Sequence, residues 1–145
     1  MTGRPVDRAT GVVGGAVTGL PLLWLRIEGA AILAAGAGLY LNLGGLPIAI
    51  VPLILAVDIS AAGYLAGPRT GAIVYNLFHN LAIGTVALGL AWWLGSTALG
   101  LTGAVLVAHA GMDRALGYGL KYPTAFADTH LGRLGRRSRV PAGHA

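Results

Sequence analysis

Residues 46–65 read LPIAIVPLILAVDISAAGYL, twenty positions with one charge, Asp58. About 20 mostly apolar residues is the length a helix needs to cross the hydrocarbon core of a bilayer. The run is closed by Gly67-Pro68. One segment therefore points to a chain that lives in lipid and keeps an acid inside it.

Outward from this segment the same pattern repeats. Upstream, Gly44-Gly45 and Pro47 turn the chain after a first span at about 22–41. Downstream, Pro68 suits the first turn of a third helix, where its missing N–H costs nothing; that helix reads from 68 to about 92. A fourth covers about 96–116, with Ser96 as its N-cap. Four spans (22–41, 46–65, 68–92, 96–116) joined by very short loops give an all-α, up-down-up-down integral membrane four-helix bundle.

Composition agrees. The chain has 145 residues, 55% of them hydrophobic and only 10% charged, and no cysteine; mean hydropathy is +0.72. Soluble domains carry about 25% charged residues, and one this small exposes much of its surface. A soluble globular enzyme, a disordered chain and a disulfide scaffold are excluded, and the length fits one domain. The 24 glycines have no collagen period and read as close-packing helix faces, suited as well to contacts in a homo-oligomer.

The charges orient the bundle. All ten basic residues, from Arg4, Arg8 and Arg26 through Arg69 to Arg114, Lys121, Arg133, Arg136, Arg137 and Arg139, fall at one end of the spans. The positive-inside rule makes that end cytoplasmic, with both termini inside. Tyr40, Trp92 and Trp93 read as an outer aromatic belt and Trp24 as an inner one. Residues 1–21 form an interfacial or flexible lead-in without the basic start and cleavage site of a secretory signal; an alternative slides span one to about 9–25. The basic tail, residues 135–145, reads as a flexible topology and lipid signal rather than a nucleic-acid binder, since no aromatic interleaving accompanies it.

Ionisable groups at bilayer depth are costly and mark functional sites by default. Here they are Glu28, Asp58, His79, His109 and Asp113, accompanied by Asn76 and Asn80. At a rise of about 1.5 Å per residue, all fall in the cytoplasmic half. His109 and Asp113 share a face at i,i+4, as do Asn76 and His79 at i,i+3. Histidines and carboxylates converging inside a bundle are a metal-site composition, suited to Zn, Mn or Fe. Asp58, His79, His109 and Asp113 are the candidate ligands; Glu28, Asp58 and Asp113 are the candidate catalytic acids and bases. The plainer readings are ion pairs of the acids with Arg26, Arg69 or Arg114, and histidines satisfied by neighbouring carbonyls. Bis-histidine haem through His79 and His109 ranks lower, because the carboxylates crowd an otherwise apolar pocket.

Residues 117–134 form a cytoplasmic mouth loop, polar and aromatic, interrupted by Pro123. A loop so rich in distinctive side chains is a functional hint. Asp128 and His130 are placed to cap the bundle. With Arg69, Asn76, Arg114, Lys121 and Tyr122 they make the candidate substrate-binding set; the alternative is a solvated linker.

The runs Arg26-Ile27-Glu28-Gly29, Gly63-Tyr64-Leu65-Ala66-Gly67-Pro68-Arg69 with Tyr75-Asn76 and His79, and the stretch from His109 to Thr124 with Asp128-Thr129-His130-Leu131-Gly132 resemble a small bacterial inner-membrane family catalogued as a domain of unknown function. The resemblance covers roughly 25–134. It implies a four-helix membrane fold, an inner-membrane location and no established activity. Where that family often has Pro before the span-two acid and Lys before Asp-Thr-His, this chain has Val57 and Ala127.

The leading expectation is a membrane-embedded metal-dependent enzyme acting on a lipid or amphipathic substrate. From other classes come an oligomeric proton-coupled transporter or channel, which needs polar groups in the outer half as well, and a non-catalytic membrane assembly factor, in which the ionisable groups pair off internally.

Overall fold

The structure, a computed structural model, describes residues 17–134. Its order is α1 (Leu20–Asn42), a short 3₁₀ turn (Pro47–Ala49), α2 (Ile50–Ala56), a 3₁₀ helix (Val57–Ala66), α3 (Pro68–His79), α4 (Leu81–Leu94), α5 (Thr97–Leu116), and a small antiparallel ribbon of β1 (Asp128–Thr129) and β2 (Gly132–Arg133). Two segments, Leu20–Asn42 and Pro47–Ala66, are long and apolar enough to cross a membrane, and α3 with α4 makes a third if that bent pair is one span. The basic tail and most of the lead-in lie outside the described residues. The described part of the chain enters α1 at Leu20, and residues 9–16 of the alternative first span lie outside the described residues.

α5 is the centre of the molecule. Ten of its residues are buried, among them His109 and Asp113, and α1, α2, α3 and α4 all pack against it. Glycine allows the approach on the α1 side. A Cβ on Gly36 would stand 2.6 Å from the Ala108 nitrogen, and one on Gly29 would stand 2.5 Å from the Ala115 nitrogen. Such backbone-to-backbone contact replaces the hydrophobic driving force that lipid removes. These glycines are occupied within the chain; Gly38 and Gly89 meet nothing within 4 Å.

The ends follow local chemistry. The Ser96 side chain accepts from the Leu99 N–H at 3.3 Å, capping α5, and Gly117 closes that helix with φ 88°. Gly67, at φ 105°, turns the chain into Pro68 in the first turn of α3.

Three expectations need correcting. The helix read as continuous from 68 to 92 is broken: α3 and α4 meet at 47°. Asn80 is extended there and its side chain accepts from the Ala82 N–H, capping α4. The second span is α-helical only to Ala56 and continues as a 3₁₀ helix of 10 residues, well beyond the usual three or four. Tyr40 is not a belt residue. It is 4% exposed and its hydroxyl donates to the Leu46 carbonyl at 3.4 Å, whereas Trp24, Trp92 and Trp93 are exposed.

Candidate metal centre

Each member of the cluster is placed by a different segment: Asp58 by the 3₁₀ helix, His79 by the last turn of α3, His109 and Asp113 by successive turns of α5. The ring nitrogens define what they can do. His79 Nδ1 lies 2.8 Å from the Tyr75 carbonyl oxygen, and His109 Nδ1 lies 2.7 Å from the Ile54 carbonyl oxygen. A carbonyl only accepts, so both Nδ1 atoms carry hydrogen and donate. In the neutral rings both Nε2 atoms are therefore lone pairs.

Those lone pairs face carboxylates. His79 Nε2 is 3.3 Å from Asp58 Oδ1 and 3.8 Å from Asp113 Oδ2. His109 Nε2 is 3.7 Å from Asp58 Oδ1 and 3.8 Å from Asp113 Oδ1. His109 is fully buried and its Nε2 has no hydrogen-bond partner. Acceptors are thus gathered around a point with nothing between them to donate, an arrangement that costs free energy until a cation or proton is added. Ligands about 2.0–2.2 Å from a tetrahedral zinc stand roughly 3.3–3.6 Å apart, close to these separations. One ligand atom from each of Asp58, His79 and His109 lies within 4.8 Å of the others. An imidazole whose other N–H is held by a backbone carbonyl is also the usual outer-shell arrangement of a metal-bound histidine.

Asp113 stands beside this trio. Its Oδ2 accepts from the Tyr75 hydroxyl at 3.1 Å. The Tyr75 ring stacks on His79 at 3.5 Å between centroids, and the two histidines meet edge to face at 4.4 Å. That last contact corrects the haem alternative: imidazoles packed directly against each other leave no plane for a porphyrin between them. Among the described residues, no arginine or lysine lies in salt-bridge range of Asp58 or Asp113, so neither acid makes the arginine ion pair of the plainer reading. Asp58 is the accessible member, with its side chain 52% exposed against 8% for Asp113.

The loop after α5 folds over the cluster. Asn76 holds it by a reciprocal pair: its Nδ2 donates to the Lys121 carbonyl at 2.9 Å and its Oδ1 accepts from the Lys121 N–H at 2.7 Å. Lys121 is 4% exposed. Its Nζ sits 4.1 Å from the Phe126 ring centroid and 5.0 Å from that of Tyr75, in cation–π contact. Burial pulls its pKa below the usual lysine value, and Asp113 and Asp58 partly offset this. Asp128 accepts from the Thr124 hydroxyl at 2.8 Å and pairs with Arg133 at 3.5 Å. His130 Nδ1 accepts from the Leu120 N–H at 2.9 Å. Both residues are engaged within the loop. A void of about 10 Å³ lies beneath it against His79, Asp113 and Arg114, about the room of one water.

A family model of a domain of unknown function, DUF4260, matches residues 22–134. The chain belongs to that family. No curated protein and no solved structure matches it. The matched stretch holds every residue of the centre and the loop over it, so the site lies wholly inside the DUF4260 domain.

The structure brings together Asp58, His79, His109 and Asp113, and sets Asn76 and Lys121 over them. It does not bring Glu28, which is exposed on α1. Arg69 is exposed on α3 and Tyr122 is 43% exposed on the loop, while the Arg114 guanidinium donates to the Ala110 carbonyl at 2.8 Å. Sequence reasoning missed Tyr75 and Phe126. Tyr75 precedes His79 by four residues, a same-face spacing that signals the contact; Phe126 has no such signal.

Proposed function

We propose that this DUF4260 protein is a metal-dependent enzyme of the bacterial inner membrane. In this reading a divalent Zn, Mn or Fe ion is held by Asp58, His79 and His109, with Asp113 beside it. The chain folds as four spans with both termini in the cytoplasm, the basic end being the cytoplasmic one. The observation that carries the reading is the pair of imidazoles whose Nδ1 hydrogens are fixed on the Tyr75 and Ile54 carbonyls. This leaves two Nε2 lone pairs beside a carboxylate. A metal there supplies a Lewis acid or an acidified water at neutral pH. Tyr75 holds Asp113 in place, Asp113 is positioned as a proton acceptor, and Lys121 provides positive charge at the mouth. The substrate is a lipid or other amphipathic molecule, reached through the exposed side of Asp58.

A proton relay is the second reading, because the chain of Asp58, His79, His109 and Asp113 at 3.3–3.8 Å also suits proton transfer in a transporter. The outer-half threonines speak against a continuous path: Thr85 donates to the Leu81 carbonyl and Thr102 to the Ala98 carbonyl, each within its own helix. Elemental analysis of the purified protein separates the two. The metal reading predicts close to one equivalent in the wild type and its loss in both His79→Ala and His109→Ala. A metal-free wild type that takes up no added zinc, manganese or iron contradicts it.

A further inference from the structure

An apolar groove of about 590 Å³ opens on the side of the molecule, between the second span and α5. It adjoins the centre on both walls. On one, Val57, Ile59 and Ser60 flank Asp58; on the other, Val105 and Leu106 lie one turn before His109, and Leu101 and Thr102 one turn further. Groove, His109 and Asp113 thus follow one another along α5 toward the basic end. Leu101 to His109 is a helical rise of about 12 Å at 1.5 Å per residue.

The geometry points to the groove as the seat of one acyl chain of a glycerophospholipid whose polar end lies at the Asp58 face of the centre. This names the substrate class and the subsite within the function proposed above, and rests on that reading. Two observations select the occupant. The lining is almost wholly apolar, and one wall belongs to Pro47–Ala66, a segment apolar enough to cross a membrane, where a lateral cleft meets lipid tails rather than water. The direction matches: a lipid of the leaflet at the basic end places its head at the exposed side of Asp58 and its tail toward the midplane, which is the course of the groove.

The test is photo-labelling of the full chain in phosphatidylethanolamine/phosphatidylglycerol vesicles. The probe is phosphatidylglycerol with a diazirine in one acyl chain, with the diazirine fatty acid alone in a parallel arm. The expected adducts fall on residues 56–60 and 101–106 with the phospholipid and far less with the free acid. Ala56→Trp and Thr102→Trp, which fill the groove from opposite walls, each reduce labelling at least fivefold and leave metal content unchanged. Labelling spread over outward residues such as Ile48, Leu65 and Trp92 and indifferent to both tryptophan variants overturns the inference. So does a groove protected by a crosslinked second copy, or preferential labelling by the free acid. Specific groove labelling in a protein that holds no metal retains the lipid site and removes the metal reading, so the two failures are distinguishable.

Discussion

Tyr75 links three parts of the centre at once: its carbonyl fixes the His79 tautomer, its ring stacks on that imidazole, and its hydroxyl holds Asp113. Removing the hydroxyl alone isolates the last of these. Tyr75→Phe is expected to keep the metal stoichiometry and the fold but to weaken metal affinity by about two- to tenfold, the range of one hydrogen bond, because the Asp113 carboxylate it releases stands 3.8 Å from the Nε2 atoms of both histidines. A competition titration with a chelator of known affinity measures it; an unchanged affinity would show that Asp113 needs no help from Tyr75. At this scale the sequence was informative because charge in lipid is rare. Asp58, His79, His109 and Asp113 could be named from depth and helical phase alone. Glu28 shows where that reasoning stops: depth places it near the others, but Gly29 beside it is the residue that faces α5, leaving Glu28 on the outside.

Among the elements, the loop over the site depends on Asn76 more than on any other single side chain. The two reciprocal bonds to Lys121 imitate a strand pairing from a helix, and each such bond is worth about 1 kcal/mol. Asn76→Ala is expected to raise amide hydrogen exchange across residues 118–130 by about tenfold or more while α1 and α5 stay protected; equal protection in the variant would contradict this docking role. Helix boundaries set by local chemistry were legible, as at Pro68 and Ser96. The break at Asn80 was less so, since asparagine is tolerated inside a helix and only its capping bond to Ala82 reveals the preference for a cap. Nothing in LAVDISAAGYLA marks a change from α to 3₁₀ winding. Within that stretch Gly63 packs against α3, where an added Cβ would stand 2.9 Å from the Val74 Cβ.

For the whole molecule, the absence of cysteine makes topology directly measurable. Single-cysteine variants Leu46→Cys, Trp93→Cys and Arg133→Cys report the two uncharged turns and the basic end. Four spans with cytoplasmic termini predict that an impermeant maleimide, added to intact cells, labels the first two and not the third. Labelling of Arg133→Cys from outside would reverse the orientation. The apolar character of the chain was evident from composition, but the centrality of α5 was not. Its sequence is the least lipid-like of the long segments, and its burial explains why: it is shielded from lipid by the helices around it, which frees it to carry His109 and Asp113. The account as a whole therefore turns on what occupies the space among Asp58, His79 and His109. Anomalous diffraction from crystals of the metal-loaded protein, collected on either side of the absorption edge, locates it. The prediction is a single peak bonded to the Nε2 atoms of His79 and His109 and to Asp58. A loaded crystal with no peak there, or with the metal held at the surface by other residues, contradicts the account.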